Sequence, residues 1–164
     1  MQERLKKLTL TAMFTAMIFV LTRFVQIPVA MGYVHLGDAL VYVCAVLLGD
    51  PWAVIAGSVG QALADVSSGY IMYAPATFII KALMAVVFSF AGANSSKILT
   101  KKTVIATIPC MLITFVGYFI TDLIIGEGYA VANILGNITQ GVASGIVFIL
   151  LALALDKSKI KTRI

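Results

Sequence analysis

Charge is scarce in this sequence. Only 12% of its 164 residues are Asp, Glu, Lys or Arg, about half the roughly 25% of an ordinary soluble domain. Hydrophobic residues make up 61%, and mean hydropathy is +1.04. That balance excludes a soluble globular domain and points to an integral membrane protein. Histidine occurs once, so no HExxH zinc site can form. A Gly-x-x-x-x-Gly-Lys-Ser/Thr phosphate loop is absent, which excludes ATP hydrolysis by that route, and there is no Gly-x-Ser-x-Gly nucleophile elbow. The two cysteines, Cys44 and Cys110, sit inside apolar runs without CxxC or Cys/His spacing, so they read as small core residues rather than a disulfide or metal ligands. No inverted repeat of the kind used for alternating access is evident. The first apolar run lacks a small-residue cleavage site followed by a polar mature chain, and it reads as a retained helix.

What the chain does have is a succession of apolar runs. At about 20 residues per membrane span, one bundle occupies residues 1–164 as a single membrane domain. The runs predict spans over about 8–27 (ended by Pro28), 38–48, 52–66, 76–93, 103–125 and 132–155. All Lys and Arg residues except Arg23 and Lys81 fall into three clusters: Arg4, Lys6 and Lys7; Lys97, Lys101 and Lys102; and Lys157, Lys159, Lys161 and Arg163. A net charge of +5 arranged this way marks membrane flanks, not nucleic-acid binding. Positive residues favour the cytoplasmic side, so both termini and the linker at 94–102 are expected inside. Six crossings satisfy that arrangement. The expected fold is an all-α bundle of six transmembrane helices, with the loops at 29–37, 67–75 and 126–131 sharing the outer face.

The stretch Gly69-Tyr70-Ile71-Met72-Tyr73-Ala74-Pro75-Ala76-Thr77-Phe78-Ile79-Ile80-Lys81 organises the rest. A Gly- and Tyr-rich loop meets a proline, a helix starts, and Lys81 lies roughly 9–12 Å inside it. A lysine at that depth snorkels to the interface, pairs with a buried acid, or faces a wet cavity. Asp38 and Asp65 are the leading counter-ions, with Asp122 third, while Glu127 belongs to a loop and is solvated. Polar residues recur at helical spacing: Ser58, Gln61 and Asp65; Thr77 and Lys81; Thr114, Tyr118, Thr121 and Asp122; and Asn133, Asn137, Gln140 and Ser144. Each face alone fits ordinary interhelical hydrogen bonding. Together, all in the outer half, they predict a polar pocket open to the outside. Tyr33, Tyr70, Tyr73 and Tyr129 on the outer loops form either an interfacial belt or a lid over that pocket. Such donors and acceptors suit a small hydroxylated heterocycle better than a bare ion or a lipid.

Small residues also recur. Gly57 with Gly60, and Gly141 with Gly145, are expected to pack within the bundle. Ala12 and Ala16 form an AxxxA face that serves either packing within the chain or a partner subunit.

The AxxxA face, Gly-Tyr-Val-His-Leu-Gly-Asp at 32–38, Tyr-Ala-Pro-Ala-Thr-Phe-Ile-Ile-Lys at 73–81 and Asn-Ile-Leu-Gly-Asn-Ile-Thr-Gln at 133–140 resemble the substrate-binding S components of energy-coupling factor (ECF) transporters. The resemblance covers nearly the whole chain and is nearest to the pyridoxine and hydroxymethylpyrimidine branch, beside the riboflavin branch. It implies a multi-pass protein of a bacterial plasma membrane that captures a vitamin from outside. It also implies association with a membrane-embedded coupling subunit and two ATP-binding subunits, and toppling in the membrane to release the cargo. Ala12 and Ala16 then become the coupling-subunit interface. The substrate-binding residues expected are His35, Asp38, Asp65, Tyr70, Tyr73, Lys81, Asn133, Asn137 and Gln140. No catalytic residue, cofactor, metal or nucleic-acid partner is expected. The competing readings are a riboflavin-type S component, a small membrane enzyme using His35 and Asp38 as acid and base, and a stand-alone channel or carrier.

Overall fold

A computed structural model describes residues 2–29 and 32–162. Residues 30 and 31 of the expected first outer loop, and Arg163 of the basic tail, lie outside the described residues. Six helices follow one another: α1 (Gln2–Phe24), α2 (Gly37–Leu48), α3 (Trp52–Ser67), α4 (Ala74–Gly92), α5 (Lys101–Ile125) and α6 (Glu127–Lys157). A short 3-10 turn, Ile160–Thr162, ends the described chain.

The first helix ends sooner than its apolar run predicts, although it begins earlier. α1 stops at Phe24, and the residues expected to continue it form strand β1 (Gln26–Val29), antiparallel to β2 (Gly32–His35). Pro28 explains the change. It lacks the N–H that a helix needs and is tolerated at a ribbon edge, where it pairs with Tyr33. This hairpin is the one departure from an all-α fold among the described residues. At the other turn, Gly126 alone breaks the chain. Glu127 and Tyr129, expected in a loop, open α6 instead, and the exposed Glu127 carboxylate sits where the helix dipole favours an anion. Elsewhere the boundaries follow local chemistry. Gly49 takes a left-handed backbone at φ 68° to end α2. Thr100 and Thr103 form a capping box that starts α5.

Four helices, α1, α4, α5 and α6, are long and apolar enough to cross a membrane. The other two are shorter. α2 has 12 residues, about 18 Å at 1.5 Å per residue, and α3 has 16, about 24 Å, against a hydrocarbon core of about 30 Å. α2 tolerates this because it lies at the centre of the bundle, packed by α1, α3, α4 and α6, with every residue but Leu47 buried. A helix enclosed by protein need not match the bilayer, and the hairpin backbone leading into it is likewise paired.

Below the bundle's midpoint, Tyr42 stacks on Phe88 with ring centroids 4.0 Å apart, and Phe148 meets both edge-on. Cys44 and Cys110 are buried there as free thiols. The glycines pack within the bundle as expected. A side chain at Gly60 would run into the Thr15 carbonyl oxygen of α1, one at Gly57 into Val41 of α2, and one at Gly141 into Met111 of α5. Ala12 and Ala16, by contrast, are exposed on the outside of α1.

The chain alternates direction, so each end of the bundle has its own character. At one end lie the α1 N-terminus, the α4–α5 linker and the α6 C-terminus. There Asp156 accepts from the backbone N–H groups of Ile98 and Leu99 at 2.7 and 2.9 Å, and Lys161 Nζ donates to the Gly92 carbonyl at 2.7 Å. These contacts staple the basic end. The opposite end collects the polar side chains.

Candidate functional site

Convergence begins with the helix starts. Pro75 fixes the first turn of α4 just after Tyr73, which sends Thr77 and Lys81 down one buried face. α3 brings Gln61 and Asp65 up from the opposite direction, α5 brings Tyr118 and Asp122, and α6 brings Asn133, Asn137 and Gln140. The β2 strand contributes Tyr33 and His35, two residues apart and hence on one face.

Two layers result. The deeper is centred on Asp38, which is fully buried at the start of α2. Lys81 Nζ lies 2.8 Å from its Oδ1, and both side chains are wholly inaccessible. Gln61 Nε2 donates to Oδ1 at 2.7 Å and Gln140 Nε2 to Oδ2 at 2.8 Å, with Ser144 Oγ at 3.4 Å. Donors thus surround a carboxylate that offers about four acceptor positions. Lys81 is therefore neither snorkelling nor facing open water. Its ammonium lies 5.1 Å from the Tyr118 ring centroid, a cation–π contact. Gln140 also clasps the hairpin, accepting from the His35 N–H at 2.8 Å and donating to the His35 carbonyl at 3.1 Å.

The upper layer is a cavity of about 60 Å³, counted as the space open to the centre of a water molecule. Its aromatic walls form a chain of ring contacts, from His35 to Tyr33, Tyr70, Tyr73 and Tyr118, with centroids 5.2–6.5 Å apart. Two carboxylates hold this wall. Asp65 accepts from the Tyr33 and Thr77 hydroxyls, each at 2.5 Å. Asp122 accepts from Tyr73 at 2.6 Å, Asn133 at 3.1 Å and Asn137 at 3.3 Å. Asp65 is thus no partner of Lys81: it ties the hairpin and α4 to α3.

Of the residues expected to bind substrate, His35, Asp65, Tyr70, Tyr73, Asn133, Asn137 and Gln140 line this cavity, while Asp38 and Lys81 lie beneath it, paired with each other. The cavity also takes in Tyr33, Tyr118 and Asp122, which the expected binding set omits, together with Val29 and Gly136. Tyr118 and Asp122 carried a signal, since their i, i+4 spacing places both on the buried side of α5. Tyr33 is among the lid tyrosines the sequence marks, and the strand's period of two aligns it with His35. Tyr129 is partly exposed at the start of α6 and is not part of the wall.

A family model described as "ECF-type riboflavin transporter, S component" matches residues 2–157. The chain belongs to this family of S components. The Lactococcus lactis subsp. cremoris protein named thiamine precursor transporter HmpT is 31% identical over 142 residues, covering 84% of this chain and 80% of that protein. An uncharacterised protein from a gap 3′ region of Pyrococcus woesei is 35% identical over 127 residues, covering 75% of this chain and 81% of its own. This S component is accordingly a multi-pass protein of the cell membrane. The family and the named relative are transporters rather than enzymes.

Burial governs the one histidine of this S component. Loss of solvent pushes the His35 pKa down to about 4, with Asp38 pulling it up and Lys81 pushing it down. The folded state therefore binds fewer protons than the unfolded chain between pH 6.5 and about 4. The stabilisation is fully present above pH 6.5 and is lost as pH falls towards 4, about 3 kcal/mol in all at ~1.4 kcal/mol per unit. The thermal unfolding temperature of the detergent-solubilised protein should therefore fall as pH drops through that window. His35→Asn, whose amide oxygen can replace Nδ1 as acceptor for the Gly37 N–H, should flatten the dependence; an unaltered pH profile would assign it to the carboxylates instead.

Proposed function

We propose that this S component captures a small, uncharged vitamin or vitamin precursor, a pyridoxine-type vitamin or hydroxymethylpyrimidine, and passes it to an ECF module for ATP-driven import. The observation that carries the reading is the tyrosine-walled cavity of about 60 Å³ at the end of the bundle away from the basic clusters. A water needs about 10–15 Å³ of such space, so the cavity holds about four to six water positions. That suits one six-membered ring with small substituents, stacked between tyrosines. Riboflavin, a tricycle with a sugar-alcohol tail, would need the walls to part, so the substrate named in the family's description fits less well. The relative named a thiamine precursor transporter supports a vitamin precursor as the cargo.

In this reading the chain crosses the membrane six times. Both termini and the basic linker are cytoplasmic, following the positive residues, and the cavity opens outward. His35, Asp65, Tyr70, Tyr73, Asn133, Asn137 and Gln140 are the contacts, with Tyr33, Tyr118 and Asp122 added. Asp38 and Lys81 act as positioning residues, holding Gln140 and the Tyr118 ring from below. The exposed Ala12 and Ala16 form the face for the membrane-embedded coupling subunit, and two ATP-binding subunits supply the hydrolysis this chain cannot perform. An acid–base pair of His35 and Asp38 is disfavoured, because Asp38 does not line the cavity and its acceptor positions face protein donors.

Mass spectrometry of the small molecule that co-purifies with the protein, followed by titration with pyridoxine, hydroxymethylpyrimidine and riboflavin, tests the reading. One of the first two should bind stoichiometrically and more tightly than riboflavin. A folded protein that binds none of the three overturns it.

A further inference from the structure

The hydrogen-bonding groups around the cavity are unevenly engaged. The hydroxyls of Tyr33 and Tyr73 donate to Asp65 and Asp122. Thr77 gives its hydrogen to Asp65, so Tyr118 is the donor in the 3.1 Å contact between their hydroxyls. Gln140 Nε2 is turned towards Asp38 and the His35 carbonyl. These wall donors therefore point into the protein. Neither Lys nor Arg lines the cavity, while two carboxylates do.

Asn133 stands out against that background. It is 6% exposed, and its Nδ2 is fixed on Asp122 Oδ1 at 3.1 Å, which sets the orientation of the amide. Its Oδ1 is buried and has no hydrogen-bond partner among the described residues. A buried carbonyl left unpaired carries its full desolvation penalty, which a ligand N–H or O–H would remove. On the facing hairpin, His35 Nδ1 accepts the Gly37 N–H at 3.2 Å. In the neutral ring the proton is then on Nε2, which makes His35 a donor.

We propose that Asn133 is the specificity-determining residue of the cavity, its Oδ1 accepting an N–H from an exocyclic amine on a six-membered nitrogen heterocycle while His35 donates to a ring nitrogen. The inference rests on the capture role proposed above and narrows it. An amino-substituted pyrimidine matches this donor and acceptor pair. Pyridoxine, which carries hydroxyls in place of the amine, matches it less well. A phosphorylated form is rejected, because the wall faces it with carboxylates and offers no cation to offset its charge.

The experiment is equilibrium binding to the detergent-solubilised, full-length protein. Its probes are hydroxymethylpyrimidine with its exocyclic amine, the analogue in which a carbonyl oxygen replaces that amine, the phosphate monoester of the amine, and pyridoxine. The amine should bind most tightly. The oxo analogue and the phosphate should each be weaker by at least about 100-fold, since a site built around a polar contact strongly rejects a ligand that leaves it unpaired. In Asn133→Leu the preference for the amine over the oxo analogue should collapse to within about tenfold, a difference of 1.4 kcal/mol or less. The ligand series on the unmodified protein decides the matter even if that variant fails to fold. Equal binding of the oxo analogue, tighter binding of pyridoxine, or a folded Asn133→Leu that keeps its preference would overturn the inference and leave the capture role standing. Failure of every probe to bind would remove both.

Discussion

Asp38→Ala should destabilise the folded protein by about 3–5 kcal/mol, the penalty of leaving a buried charge without its partner. Asp38 and Lys81 are both fully buried, 2.8 Å apart, in the centre of an apolar bundle. Removing the carboxylate strands an ammonium whose remaining N–H groups have no acceptor among the described residues. It also takes away the anchor shared by Gln61 from α3 and Gln140 from α6. Lys81→Met should cost less, because the carboxylate it leaves can bind a proton and keeps both amide donors. The double variant Asp38→Leu with Lys81→Met should recover much of the loss, as apolar replacement of a whole buried pair often does. Thermal unfolding with ligand titration in parallel checks this. For Lys81→Met the melting temperature should fall while affinity changes less than about tenfold, or 1.4 kcal/mol. A variant that keeps its stability and loses binding would place the ammonium on the ligand rather than beneath it.

The second large effect concerns transport rather than stability. Ala16→Trp should leave ligand affinity unchanged and reduce uptake by the assembled transporter to background, with Ala12→Trp behaving alike. Both alanines are exposed on α1, on the side turned away from α2 and α3. A larger side chain there meets no packed neighbour within the chain, so folding and the cavity at the far end are untouched. Small residues four apart admit another helix at close range, and an indole on that face holds the two backbones apart. Full uptake by a folded, ligand-binding Ala16→Trp protein would remove α1 as the docking face.

Much of the site was legible because membrane helices carry so few polar groups that each one is a signal. Asn133, Asn137 and Gln140 on one face of α6, and Tyr73, Pro75 and Thr77 at the start of α4, stood out against an apolar background. What stayed hidden were pairings between elements. Periodicity shows that Asp38, Asp65 and Asp122 all lie near one end, but not which of them meets Lys81. That choice depends on helix rotation and on which donors each carboxylate collects: Asp38 takes the lysine and two amides, Asp65 takes Tyr33 and Thr77, and Asp122 takes Tyr73 and two asparagines. The hairpin is hidden from the sequence for a related reason. Its β1 strand, Gln-Ile-Pro-Val, has four residues, too few for a period of two to stand apart from the apolar run that precedes it.

The sequence by itself determined that this is a membrane bundle with an unlike pair of ends, one basic and one polar, because burying charge in hydrocarbon is costly enough to write itself into composition. It also determined the family, through motifs spread along nearly the whole chain. Only the tertiary structure decided that the short α2 is enclosed rather than lipid-facing, that Lys81 lies beneath the cavity rather than in it, and that Asn133 offers an unpaired carbonyl. Those are properties of distance and direction across separate helices, and residue spacing along one helix does not contain them.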